Sequence, residues 1–147
     1  MPLPPSDACP PDGAVLARLL ARHFRWDGWE TLIVQNGYTI DRPRHTRHPR
    51  FPDIIYPIDY GYLNLTRSTD GEAIDLFVGS AANGLVALLL THDYRRGDRE
   101  VKLLYNCTPE EIYLVNGFIN FDRTLMAGWL VLRYPMQALW DGAGASP

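Results

Sequence analysis

Apolar positions along this chain come in short runs with two different periods. Between Ala14 and Phe24 they recur at helical spacing, through Val15, Leu16, Leu19, Leu20 and Phe24, and Asp12 stands before them as an N-cap. Trp26, Gly28 and Trp29 read as the end of that helix. Thr31 to Val34 and Tyr38 to Ile40 read as strands about the turn signal Asn36-Gly37. Pro43, Pro49 and Pro52 make Arg42 to Pro52 a loop, and Pro57 and Gly61 break the apolar stretch from Asp53 to Tyr62. Ser68 to Gly71 is a turn. Ile74 to Val78, Gly84 to Thr91 and Val101 to Tyr105 then read as strands, with Arg95-Arg96-Gly97-Asp98 as a polar hairpin turn between the last two. Thr108-Pro109-Glu110-Glu111 starts a helix: Thr caps, Pro suits the first position and Glu111 closes a capping box. That helix is expected to reach Asn116-Gly117, and Gly128 to Leu132 is a final strand.

Many short strands, two helices and no alternation of strand with helix predict an α+β domain, a small barrel with flanking helices. Residues 1–12 form a proline-rich leader expected to be flexible, 13–140 a single domain and 141–147 a loose tail. Composition narrows the function classes. A chain of 147 residues with 46% hydrophobic and 21% charged residues is a globular domain that needs no staples for its core. Its 14 Lys+Arg against 17 Asp+Glu leave −3, which argues against a protein living on nucleic acid or acidic lipid. Cys9 and Cys107 make no disulfide framework and have no metal-site spacing. No apolar run approaches the ~18 residues of a membrane span, and the N-terminus lacks the order of a signal peptide. A cytoplasmic protein is expected.

The chemistry concentrates in Tyr56-Pro57-Ile58-Asp59-Tyr60-Gly61-Tyr62 and in Asp70-Gly71-Glu72-Ala73-Ile74-Asp75. Asp70, Glu72 and Asp75 repel one another, with no lysine among them. A hard dication turns that repulsion into attraction, since Mg²⁺ takes carboxylate and water oxygens. Asp75 opens a strand and is aimed by the sheet, whereas Asp70 and Glu72 lie on the preceding turn. Downstream, Asp93, Asp98, Glu100 and Lys102 flank the hairpin, where Asp93 is expected to face Glu100 or Lys102 across the ladder.

Taken in order, these residues resemble the soluble, magnesium-dependent inorganic pyrophosphatases, whose pattern is Y-P-x-x-Y-G-[FY], then D-G-D-P-x-D, then acidic residues and a lysine on a hairpin. The likeness runs from about Thr39 to Leu132. It is similar above all to short, trimmed members reading D-R-P-x-G-S-x-H-P, here Asp41 to Pro49. The resemblance implies a five-stranded barrel of the OB type with helices, and hydrolysis of pyrophosphate to two phosphates by a metal-activated water. It implies Mg²⁺, or Mn²⁺, held by Asp70, Glu72, Asp75 and Asp93 with Asp98 or Glu100. Tyr60 would orient the water or its ligands, with Asp70 and Glu72 catalytic beside it. Tyr56, Lys102 and a loop arginine, Arg47 or Arg50, would meet phosphate oxygens.

Three departures stand in the sequence. Glu72 replaces an Asp, Phe121-Asp122 stands where the family carries Tyr-Lys, and the hairpin has two extra residues that leave Asp98 and Glu100 both eligible as ligand. Two other readings therefore accompany the first: hydrolysis of a different phosphoanhydride or phosphoester, and a catalytically weak barrel that binds pyrophosphate or RNA. The run Arg42, Arg44, Arg47, Arg50 with His45 and His48 suits an anion clamp or a solvated loop. Trp26, Trp29, Trp129 and Trp140 read as core or as subunit interface of a homo-oligomer, and Cys107 as a small buried hydrophobe.

Overall fold

A computed structural model describes residues 12–66 and 73–144. Asp12 caps α1 (Gly13–His23), its carboxylate accepting from the Val15 N–H at 2.9 Å. A second helix, α2 (Trp26–Asn36), follows almost at once. It takes in Thr31 to Val34, so the strand expected there is corrected. Trp26, Trp29, Leu32 and Ile33 recur at helical spacing and pack on the sheet, which decides between two periods a short apolar run fits equally well. Gly37, at φ 72°, ends the helix by donating its N–H to Ile33 O at 2.8 Å.

The strands are β1 (Tyr38–Arg42), β2 (Asp59–Leu63), β3 (Asp75–Val78), β4 (Leu85–Asp93), β5 (Asp98–Tyr105) and β6 (Met126–Leu132). Among the described residues they form one six-stranded sheet in the order β1-β2-β3-β5-β4-β6, parallel only at β3/β5. The expected five-stranded barrel is therefore corrected to an open sheet. Between β5 and β6 lies α3 (Pro109–Ile119), and α4 (Met136–Gly144) follows β6. The capping box is in place: Thr108 Oγ1 accepts from Glu111 N, and Glu111 Oε1 accepts from Thr108 N. The last helix enters the stretch from Asp141 that sequence reads as loose.

Helices cover both faces of the sheet. On one, Leu63, Leu76, Leu85, Leu88, Leu103 and Val131 are buried together with Ile33 of α2, and Ala17 and Leu20 of α1 pack against them. On the other, Phe77, Ala87, Leu89 and Leu104 are buried with Ile112, Val115 and Ile119 of α3 and Leu139 of α4. Residues paired across neighbouring strands share a face. Tyr62↔Asp75, Tyr60↔Phe77, Phe77↔Leu104 and Leu89↔Lys102 therefore place Tyr60, Asp75, Glu100 and Lys102 on the face that α3 covers. There they emerge at the margin of the core.

Candidate functional site

Strand geometry alone assembles the centre of the site. Leu76 pairs with Leu103 in parallel register, so the preceding step sets Asp75 beside Lys102, 27 residues away in sequence. Lys102 is 6% exposed, and its ammonium donates to Asp75 Oδ2 at 2.8 Å, Tyr60 Oη at 2.9 Å and Glu100 Oε2 at 3.3 Å. Tyr60 Oη in turn donates to Asp75 Oδ2 at 2.7 Å. An ammonium has three protons, and here three acceptors take them. Burial works to lower the Lys102 pKa, but Tyr60, Asp75 and Glu100 outweigh it and the group is held above its ordinary value. Burial pushes the Tyr60 phenol upward. At neutral pH the pair is therefore a fixed cation and a neutral hydroxyl, so neither acts as a base.

Tyr56 stacks on Tyr60 with ring centroids 5.3 Å apart, is 4% exposed, and accepts a 2.6 Å hydrogen bond from Arg42 Nη1. The Arg42 guanidinium carbon also lies 5.6 Å from the Tyr56 ring centroid. Burial works to lower the Arg42 pKa, yet the hydrogen bond to Tyr56 and nearby Asp41 leave it raised. Arg42 ends β1, and from there its side chain reaches Tyr56. Arg47 instead donates to Pro52 O at 2.7 Å and pairs with Ile55 across an isolated bridge, while Arg50 is exposed. The sequence names Arg47 or Arg50 as the phosphate contact and keeps Arg42 within the basic run suited to an anion clamp. A bulge between Ile40 and Arg42 turns Arg42 from the face Ile40 shares with α2 onto the Tyr60 face, which the residue pattern of β1 does not announce.

The hairpin acids separate. Asp93 pairs with Asp98 rather than facing Glu100 or Lys102, which lie opposite Thr91 and Leu89. Asp93 Oδ1 accepts from Arg95 N at 3.0 Å and Arg96 N at 3.2 Å, fastening the turn that Gly97 closes at φ 71°. Asp98 lies 3.5 Å from Arg96 Nε. Of the two candidate second ligands, Glu100 is the one joined to Lys102. Phe121 is 87% exposed, and Asp122 accepts from Thr124 N at 3.0 Å and Thr124 Oγ1 at 2.6 Å.

Asp70 and Glu72 lie outside the described residues. Among those described, no cluster of three His, Cys, Asp or Glu side chains assembles. Asp75 and Glu100 do present hard carboxylate oxygens with side chains 28% and 27% exposed, on either side of one ammonium. That donor chemistry suits a hard dication reached from solvent.

A comparison with solved structures relates the chain to an inorganic pyrophosphatase from Neisseria gonorrhoeae, with TM-score 0.52 and 12% identity over 76% of this chain and 91% of that one. An inorganic pyrophosphatase from Thermus thermophilus aligns with TM-score 0.43 and 18% identity over 74% and 86%. An inorganic phosphatase from Anaplasma phagocytophilum aligns with TM-score 0.47 and 15% identity over 69% and 86%. No protein-family model matches the chain, and no curated protein matches it in sequence. The first of these likenesses shows a shared fold, that of the soluble inorganic pyrophosphatases.

Proposed function

We propose that this protein hydrolyses inorganic pyrophosphate to two phosphates in the presence of Mg²⁺. The observation that carries the reading is the Tyr60–Asp75–Lys102 cluster, with Glu100 on one side and the Arg42–Tyr56 pair on the other. The shared fold supports it. Asp75 and Glu100, with Asp70 and Glu72 just before Asp75 in sequence, would hold the ion. When bound, it supplies charge neutralisation and a more acidic water.

The chain's own residues supply orientation and anion recognition. Lys102 remains charged in a largely dry setting, where its attraction for a phosphate oxygen exceeds that of a surface lysine. Its contact to Glu100, at 3.3 Å the longest of its three, is the one an incoming phosphate displaces at least cost. Tyr60 keeps Asp75 aimed by donating to it. Arg42, braced against Tyr56, offers its remaining donors to the anion as a planar fork. Water attacks one phosphorus, the bond to the bridging oxygen breaks, and the second phosphate leaves with that electron pair.

The test is phosphate release from pyrophosphate with Mg²⁺ and with a chelator, beside a phosphomonoester. Mg²⁺-dependent release from pyrophosphate and not from the phosphomonoester is expected. Release from the phosphomonoester at a comparable rate would replace this reading with a broader phosphatase.

A further inference from the structure

The aromatic residues of the site continue outward as a ladder of rings. From Phe77 the line runs to Tyr60 at 4.7 Å, Tyr56 at 5.3 Å, His48 at 6.3 Å and Phe51 at 5.2 Å between centroids. Its inner end is buried beside Lys102. Its outer end is not: Phe51 is 38% exposed and carries the Arg95 guanidinium carbon 5.1 Å from its centroid.

The outer rungs are held in place. His48 Nδ1 accepts from Arg50 N at 3.0 Å and Phe51 N at 3.3 Å, while Ile54 N donates to Phe51 O at 2.8 Å. Burial first, then Arg42, Arg95 and Arg50, hold the His48 pKa down, so it stands as a neutral ring among three guanidinium groups. Cations close to a phosphate site, followed by a partly exposed aromatic ring flanked by arginine, are the two halves of nucleotide recognition. Arginine and aromatic planes both stack on bases.

The geometry points to a nucleoside diphosphate as a second substrate class, its terminal phosphate at Lys102 and Arg42 and its base on the Phe51–Arg95 platform. The inference rests on the hydrolytic reading above. In the reaction, the water oxygen bonds to the terminal phosphorus and the bond from that phosphorus to the bridging oxygen breaks. The nucleoside monophosphate leaves with the electron pair, and a proton of the water passes to solvent.

The experiment compares the full chain with its Phe51→Ala and Phe51→Trp variants on ADP and on pyrophosphate, both with Mg²⁺, and measures ADP binding calorimetrically. Wild type is expected to release phosphate from ADP. Phe51→Ala is expected to raise KM for ADP by on the order of tenfold more than KM for pyrophosphate, the scale of one lost base stack, and Phe51→Trp to restore it. Hydrolysis of pyrophosphate with neither turnover nor binding of ADP would overturn this inference and leave the pyrophosphatase reading intact. Equal losses on both substrates in Phe51→Ala would show a loop support and overturn it as well. If neither substrate is hydrolysed the hydrolytic reading fails, and with it ADP as a substrate; ADP that still binds wild type but not Phe51→Ala would preserve the platform alone.

Discussion

Lys102 is a nearly buried cation, and its desolvation cost is offset by Asp75, Glu100 and the Tyr60 hydroxyl together. Lys102→Met should therefore destabilise the fold, because it leaves two neighbouring carboxylates without their counter-charge. Both carboxylates reach solvent, so the loss should fall below the roughly 3–5 kcal/mol of a fully buried broken pair, at about 1–3 kcal/mol. Urea denaturation of the two proteins at neutral pH checks this, and a more stable variant would count against the arrangement. The same geometry ranks the acids. Asp75→Asn removes the group that both Lys102 and Tyr60 address, and is expected to lower kcat by on the order of 10²-fold. Asp98→Asn alters a residue beside Arg96 at the hairpin turn and should change kcat only a few-fold. Steady-state rates on pyrophosphate decide the order, and a larger loss at Asp98 would return it to the ligand set.

Two elements each depend on the identity of one residue. Glu111 closes the α3 capping box and also accepts from Ser80 N at 3.0 Å, tying the loop after β3 to the helix start. Burial works to raise its carboxyl, but the Thr108 and Ser80 N–H donors outweigh it, so the group sits below its ordinary value of 4.5. A carboxyl with a depressed folded pKa adds stability that is fully present above the unfolded value and is lost as pH falls through the folded one. Glu111→Gln should thus cost about 1 kcal/mol at pH 7. Its melting temperature should also fall less steeply than wild type between pH 5 and the acid transition. Melting curves over that range test both parts. In the sheet, Gly61 of β2 lies opposite Ile40 of β1, and a Cβ there would meet the Thr39 carbonyl and come within 2.8 Å of Ile40 Cα. Backbone cannot yield as a side-chain tip does. Gly61→Ala is expected to destabilise by about 1–3 kcal/mol and loosen β1, seen as faster amide exchange at Tyr38 to Arg42.

For the molecule as a whole, the layers separate support from chemistry. Helices α1 and α2 cover one face of the sheet, and the site opens on the other, where the core under α3 gives way to charged side chains. A bound ion would favour the folded chain, because the unfolded chain does not bring the carboxylates together. Saturating Mg²⁺ should raise the melting temperature, by about 2.7 kcal/mol of stability at 100-fold excess over Kd, and a chelator should reverse it. Asp70→Asn should abolish most of the shift. A melting curve indifferent to millimolar Mg²⁺ would remove the metal from the proposed mechanism.

Interactions spanning only a few residues were legible in the sequence by itself. The Asp12 cap, the Thr108–Glu111 box and the Gly97 turn each close within four residues, so residue types at fixed offsets determine them. The centre of the runs that became β3, β4, β5 and β6 was legible for a similar reason, being apolar and bounded by turn residues. Tertiary structure decided the rest. Thr31 to Val34 became helix because packing on the sheet rewards Trp29 and Ile33 on one side of α2, a preference no local window contains. The sheet stayed open because closure depends on pairing between its outermost strands. That Lys102 stands between Asp75 and Glu100 follows from strand register, and that Arg42 reaches Tyr56 follows from the bulge at the end of β1. Register joins residues 27 positions apart, and one step of slip would send every side chain to the opposite face.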